Sequence, residues 1–417
     1  MVKSAINFLF ENSIFLIVGA IVALVWANTD NETYKALLHL PLFENGFFYD
    51  HNYFNEQVSA GVDAPKKVFT LHYLVNDVFM ALFFAIAGKE VFEATLPGGA
   101  LSNFRTAATP LIATIGGMAG PALAYLGAAY FMVDNFSDYS NGWAIPCATD
   151  IAFSYLVARI VFGGGHPAIP FLLLLAIADD ALGLIILAVF YPQGEMAIHF
   201  MILPIIAIGI GLMMRNKGVK SFWPYLLGPG AISWCGFALS GLHPALGLLP
   251  IIPTLPHASS DKGLFNWEEM KCHDTLNEFE HWWKNPVELV LGLFGLLNAG
   301  VVMESVGPAT TFVLLGLFVG KPIGIWLCGV FASSVLGFGL PEGMGKRDLW
   351  VLGCAAGIGF TVALFVASVA FPPGGIQDAA KMGALASFGA AFLTIISGKV
   401  LRVQKVEGAP AGHGHGH

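Results

Sequence analysis

Apolar residues in this chain neither alternate nor recur with an amphipathic helical period; they run on. Continuous apolar stretches fall at about 12–28, 73–95, 107–133, 143–161, 167–191, 199–214, 222–240, 242–255, 286–304, 309–331, 349–371 and 379–401. A membrane helix needs roughly 20 such residues. The pattern therefore predicts an all-α polytopic membrane protein of about twelve spans, a single transmembrane domain over residues 1–417.

Composition strengthens that reading. The chain is 56% hydrophobic and only 12% charged, with mean hydropathy +0.70, whereas soluble proteins carry about 25% charged residues. The net charge of −8 offers nothing to nucleic acid. Cys147, Cys235, Cys272, Cys328 and Cys354 are scattered without ligand spacing, so neither a disulfide framework nor a zinc site is read. The amino terminus lacks a cleavable signal pattern, and the first span is expected to serve as its own insertion signal.

An even number of spans puts both termini on one side. With the termini inside, about fourteen Lys and Arg face the cytoplasm, among them Lys3, Arg105, Arg215, Lys217, Lys220, Lys346, Arg347, Arg402 and Lys405. Lys35, Lys66, Lys67 and Lys381 fall outside. Positive charge collects on cytoplasmic loops, so both ends are placed in the cytoplasm. Residues 29–72 then form an extracytoplasmic loop, read either as a β-hairpin making a homodimer contact or as irregular chain. Residues 256–285, with six acids and three lysines, form a cytoplasmic loop. Residues 403–417, ending in alternating Gly and His, are expected to be a disordered tail, with weak metal binding as the other reading.

Charge inside the apolar runs changes the picture from architecture to chemistry. Asp179 and Asp180 stand in the middle of Ile169–Tyr191. Each acid at a span centre costs roughly 2.5–3.5 kcal/mol on insertion scales. No fold needs that pair for stability, so a cation or a proton is expected to visit it. Successive helix residues differ in direction by about 100°, so one Asp can face a water-filled path while the other turns to a partner. Lys321 is the candidate partner: it lies about ten residues from both ends of its run, too deep to snorkel.

Two spans carry break signals. Pro146 removes a backbone donor just before Thr149 and Asp150. Gly357 and Gly359, followed by Thr361, weaken the run at 349–371. Paired breaks in different halves of a chain mark a transporter site where inverted repeats cross. The opposed half-helix ends carry partial charges, which Asp150 and a lysine can balance. Asp150 has two readings, a helix cap alone or a cap beside the ion path. Glu90, with Lys89 and Glu93, reads as an interface marker or as a proton sensor. His243 and the Glu280–His281 pair lie near span ends, where a hydrogen-bonded interfacial role competes with pH sensing.

These residues resemble the NhaA-type sodium/proton antiporters. The likeness rests on Ala148-Thr-Asp-Ile-Ala-Phe153, Ala176-Ile-Ala-Asp-Asp-Ala-Leu-Gly183, Asn298-Ala-Gly-Val301, Gly320-Lys-Pro-Ile-Gly324 and Gly357-Ile-Gly-Phe-Thr361, in that order along the chain from about residue 70. The family is one of those from which the rule of broken, crossing helices was drawn, so the rule and the likeness are not independent. The resemblance implies twelve helices in inverted repeats, with spans 4 and 11 unwound and crossing, in a bacterial inner membrane. It implies export of Na+ or Li+ against a larger number of protons, serving pH and sodium homeostasis. No cofactor is called for; Na+, Li+ and H+ are substrates, and the lipid bilayer is the partner. Asp180 and Asp179 become the ion- and proton-carrying pair, Thr149 and Asp150 the support at the first break, and Lys321 the partner of Asp179. Glu90, His243, Glu280 and His281 fall at or beside positions the family associates with pH response. The chain departs from the family's pattern at Val91-Phe-Glu-Ala94, where a basic pair is usual, and at Trp282-Trp-Lys-Asn285, where a second histidine often follows.

Two rival classes are weaker. An intramembrane aspartyl protease needs a Gly-x-Gly-Asp element where this chain reads Ala176-Ile-Ala-Asp179, and it leaves Lys321 unexplained. A cation channel needs a filter loop that the sequence does not suggest.

Overall fold

The computed structural model describes residues 13–44, 48–59, 62, 65–102, 104–193, 196–257 and 274–406. In chain order its main elements are α1 (Ile14–Thr29), β1 (Pro41–Glu44), β2 (Val68–Thr70), α2 (Leu71–Thr95), α3 (Ala107–Met132), α4 (Phe136–Cys147), α5 (Ile151–Phe162), α6 (Ala168–Phe190), α7 (Ile198–Asn216), α8 (Pro244–Thr254), α9 (Thr275–Asn298), α10 (Pro308–Val335), α11 (Lys346–Ala356), α12 (Phe360–Ala370) and α13 (Gly375–Val400).

Six of these, α2, α3, α6, α7, α10 and α13, are long and apolar enough to cross a membrane, and eight if the bent pairs α4–α5 and α11–α12 each count as one span. The remaining apolar runs make shorter or more polar helices. Helix α1 has 16 residues, and the first half of α9 carries Glu278, Glu280, His281 and Lys284. The expected cytoplasmic loop is thus helical from Thr275, while residues 258–273 lie outside the described residues.

The chain divides into two compact units. The first comprises Met1–Ser102, Ala181–Ser305 and Ser368–Lys381. Within it α1 packs on α9, burying Leu16, Ala20, Ala23 and Ala27 at helical spacing. Gly19 and Gly295 let the two backbones approach: a Cβ on Gly19 would stand 2.1 Å from the Gly292 carbonyl oxygen. Strands β1 and β2 pair antiparallel, with Pro41 opposite Thr70 and Glu44 opposite Val68. The chain between them includes the helix His51–Ser59, so the two strands pair without a tight turn.

The second unit comprises Asn103–Asp180, Val306–Ala367 and Met382–His417. Its core joins Phe162, Phe171, Leu172 and Leu175 to Ile325, Leu349, Leu352 and Ala356. Helix α10 widens into a π-helical turn at Gly316–Gly320, immediately before Lys321 and Pro322. Pro322 has no N–H and its ring crowds the carbonyl four residues back, which explains the widened turn. Gly324 seats α10 on α3: a Cβ there would stand 1.9 Å from the Gly116 carbonyl oxygen. Val406 donates to the Phe162 carbonyl at 2.8 Å and accepts from Gly165. That ties down the described start of the expected tail; residues 407–417 lie outside the described residues.

Candidate functional site

Both breaks occur in the second unit. Helices α4 and α5 meet at 54° across Ala148–Asp150, and α11 and α12 meet at 52° across Gly357–Gly359. The Asp150 N–H donates to the Ile358 carbonyl at 2.7 Å, joining one break to the other. Gly359 permits this approach, because a Cβ there would lie 3.1 Å from the Ala148 carbonyl oxygen. Non-helical backbone at membrane depth needs this kind of protein partner for its freed groups.

Asp150 serves both breaks with one carboxylate. Its Oδ1 accepts from the Phe153 N–H at 3.4 Å, in the first turn of α5. Its Oδ2 accepts from the Thr361 N–H at 3.2 Å and from the Thr361 hydroxyl, in the first turn of α12. A single buried acid thus caps two half-helix N-termini, where exposed N–H groups and the helix dipole favour negative charge.

The opposite ends take positive charge and a hydroxyl. Lys321 Nζ donates at 2.5 Å to the carbonyl of Cys147, the last residue of α4. It also stands 3.0 Å from Asp179 Oδ2, and both side chains are wholly excluded from solvent. Thr149 donates at 2.6 Å to the same Asp179 oxygen and lies 3.2 Å from the carbonyl of Ala356, the last residue of α11. The hydroxyl has one proton, so carboxylate and carbonyl compete for it. Asp179 Oδ1 is buried with no hydrogen-bond partner among the described residues. Asp180, one residue on, is partly exposed where Asp179 is sealed.

Thr149, Asp150, Asp179 and Lys321 are thus brought together, with Pro146 one residue before Cys147. Sequence reasoning missed three members of this group. Thr361 stands out in the sequence only as following a glycine pair, and its hydroxyl is a donor to Asp150. The carbonyls of Cys147 and Ala356 had no signal, because every residue carries one.

The residues considered for pH response all fall in the first unit, and they separate. Lys89, only 3% exposed, lies 2.5 Å from Glu93 and 2.5 Å from Glu280. Glu90 is within electrostatic reach of Glu280 and Lys284. His281, next to Glu280, is exposed. His243 is buried elsewhere: its Nδ1 accepts from the Ala245 N–H at 3.2 Å, capping α8, and lies 3.7 Å from Asp77. Among the described residues no group of His, Cys, Asp and Glu has the geometry of a resident metal site.

The chain matches known proteins over nearly its whole length. The sequence model of the family described as Na+/H+ antiporter 1 matches residues 6–397. A Na(+)/H(+) antiporter NhaA from Jannaschia sp. (strain CCS1) is 53% identical, over 96% of this chain and 99% of that protein. Antiporters of the same name from Desulfitobacterium hafniense (strain DSM 10664 / DCB-2) and Geobacter sulfurreducens are 44% and 43% identical, over 98% and 97% of this chain and 99% and 100% of theirs. Such antiporters are secondary transporters and not enzymes. This chain belongs to the Na+/H+ antiporter 1 family, the NhaA antiporters.

Proposed function

We propose that this protein exports Na+, or Li+, from the cytoplasm in exchange for a larger number of protons, through the aspartate cluster at the two breaks. The observation that carries the reading is the sealed Asp179 carboxylate, which has one oxygen held by Lys321 and Thr149 and the other without a hydrogen-bond partner among the described residues. A carboxylate oxygen so placed can take either a proton or a hard cation. Sodium suits oxygen ligands, as calcium and magnesium do. Asp180, partly exposed, is the acid that meets the ion path and carries the cation together with Asp179. Thr149 and the freed backbone carbonyls supply further oxygens. Asp150 holds the half-helices in register, and Lys321 compensates the charge of Asp179.

Protons and sodium then compete for the same oxygens, and exchange follows from alternating exposure of one site to the two sides. If more protons enter than sodium leaves, each cycle moves net positive charge inward. An inside-negative potential drives that movement with about 2.3 kcal/mol per charge per 100 mV. The role follows: sodium and pH homeostasis in a bacterial inner membrane, with both termini and residues 256–285 cytoplasmic and residues 29–72 outside. The strand pair β1–β2 is the proposed surface of a homodimer. The Lys89, Glu90, Glu93 and Glu280 cluster is the proposed site of pH response, with His243 and His281 as further candidates.

Proteoliposomes test the electrogenic step. With sodium loaded inside, an inside-negative potassium diffusion potential should accelerate sodium efflux, and an inside-positive one should slow it. Equal rates at both polarities would make the exchange electroneutral and remove the proposed stoichiometry.

A further inference from the structure

A cavity of about 200 Å³ in the first unit is lined by the short helix Asn31–Leu38, the start of α2, the end of α9 and the first two turns of α13. The exchange chemistry above makes no use of it. Most polar groups on its walls are already bonded. Asp50 accepts from the Thr70 hydroxyl at 2.5 Å and from the Tyr53 N–H at 3.1 Å, and lies 3.6 Å from His72. The Asn298 and Asn76 amides bond reciprocally at 2.9 and 3.1 Å. The Gln377 amide donates to the Ser368 and Phe371 carbonyls.

Lys381 is different. It lines the same cavity, is 9% exposed, and makes no hydrogen bond or ion pair among the described residues. Asp378, one turn earlier on α13, is the acid that acts on it electrostatically. Asp378 belongs to the first turn of that helix, where its charge also answers the positive end of the helix dipole. An ammonium mostly withdrawn from bulk solvent and without a bonded protein acceptor favours counter-charge in the adjoining space. The cavity rim also carries Gly374 and Gln377 at the N-terminal end of α13, a helix end whose free N–H groups favour anions. Lys35 adds a second cation to the lining.

We propose that this cavity is an anion site that takes one small monovalent anion of halide size together with hydration water, held by the Lys381 ammonium and the N-terminal turn of α13. A single water needs about 30 Å³ of liquid volume, so the space accommodates a halide-sized ion with several waters.

Thermal unfolding of the purified full-length protein tests this without reading transport, so it is independent of the exchange mechanism. Gluconate is replaced stepwise by chloride at fixed sodium, ionic strength and pH. The expected result is a saturable rise in Tm, with the half-saturating chloride concentration raised more than tenfold in Lys381→Met and lowered in Asp378→Asn. A rise that never saturates, or the same curve in the wild type and Lys381→Met, would overturn the site. Should Lys381→Met fail to fold, Asp378→Asn decides: an unchanged midpoint counts against the proposal. Crystals grown in bromide give a second reading, with an anomalous peak expected at the Lys381 ammonium and its absence contradicting the assignment.

Discussion

Lys321 Nζ stands 3.0 Å from Asp179 Oδ2 with neither side chain open to solvent, and the same ammonium reaches the Cys147 carbonyl at the end of a broken helix. One cation therefore answers a full negative charge and the partial negative end of a half-helix. Asp150 does the converse at the two N-termini. The site is a balance of charges in which Lys321, Thr149 and Asp150 each meet backbone at the helix breaks, while Asp179 is held by the Lys321 and Thr149 side chains.

That balance sets the cost of removing one member. Lys321→Ala leaves the Asp179 carboxylate buried with the Thr149 hydroxyl alone on Oδ2. Breaking a buried pair from one side costs roughly 3–5 kcal/mol. Thermal denaturation in detergent should show a large fall in Tm. Combining Asp179→Asn with Lys321→Met should recover part of it, since no uncompensated charge remains. A double variant no better than the worse single variant would argue against coupling.

Asp150→Ala removes two caps at once, each worth about 1 kcal/mol. Thr361→Val removes one hydroxyl bond and leaves the Thr361 N–H contact in place, so its cost should be smaller. Denaturation of the two variants side by side checks the order. Equal losses would mean that the Asp150–Thr361 hydroxyl bond carries the whole effect.

Gly359→Ala places a methyl group 3.1 Å from the Ala148 carbonyl oxygen and should push the two breaks apart. Sodium-dependent proton movement in vesicles is expected to fall at least several-fold. Gly127→Ala is the control, because a Cβ there meets nothing within 4 Å. Matching losses in both would remove steric approach as the cause.

Asp50 allows a pH prediction away from the membrane-spanning helices. Burial alone would raise its carboxyl, but His72, the Thr70 hydroxyl and the Tyr53 N–H together outweigh that and lower it from 3.8 to about 2. A carboxyl lowered in the folded state contributes stability that is fully present above its unfolded value and lost as pH falls through the folded one. The window is therefore about pH 4 down to about pH 2, and the contribution is on the order of 2 kcal/mol. In acid titrations followed by Tm, the wild type should lose more than Asp50→Asn across that window. Parallel curves would show that Asp50 is not bonded in this way.

How much of this was readable beforehand depended on the kind of signal. A charge in an apolar run is visible without any fold, so Asp179, Asp180 and Lys321 stood out at once. Pro146 and the Gly357–Gly359 pair are local features, and the helices do bend beside them. The role of Lys89 is not legible in the sequence, since its contact with Glu280 spans 191 positions. The carbonyls of Cys147 and Ala356 were illegible because backbone acceptors carry no sequence signature. Counting apolar runs gave about twelve spans, but helix length and polarity separate the long helices from α1, α8 and α9.

The central claim is that the aspartate pair is the exchange site, with Asp180 meeting the ion. Everted membrane vesicles carrying a pH-sensitive dye, energised and then given sodium, read this directly. Asp180→Asn should abolish sodium-triggered proton release while the protein remains folded and inserted. Unchanged release in Asp180→Asn would contradict the account.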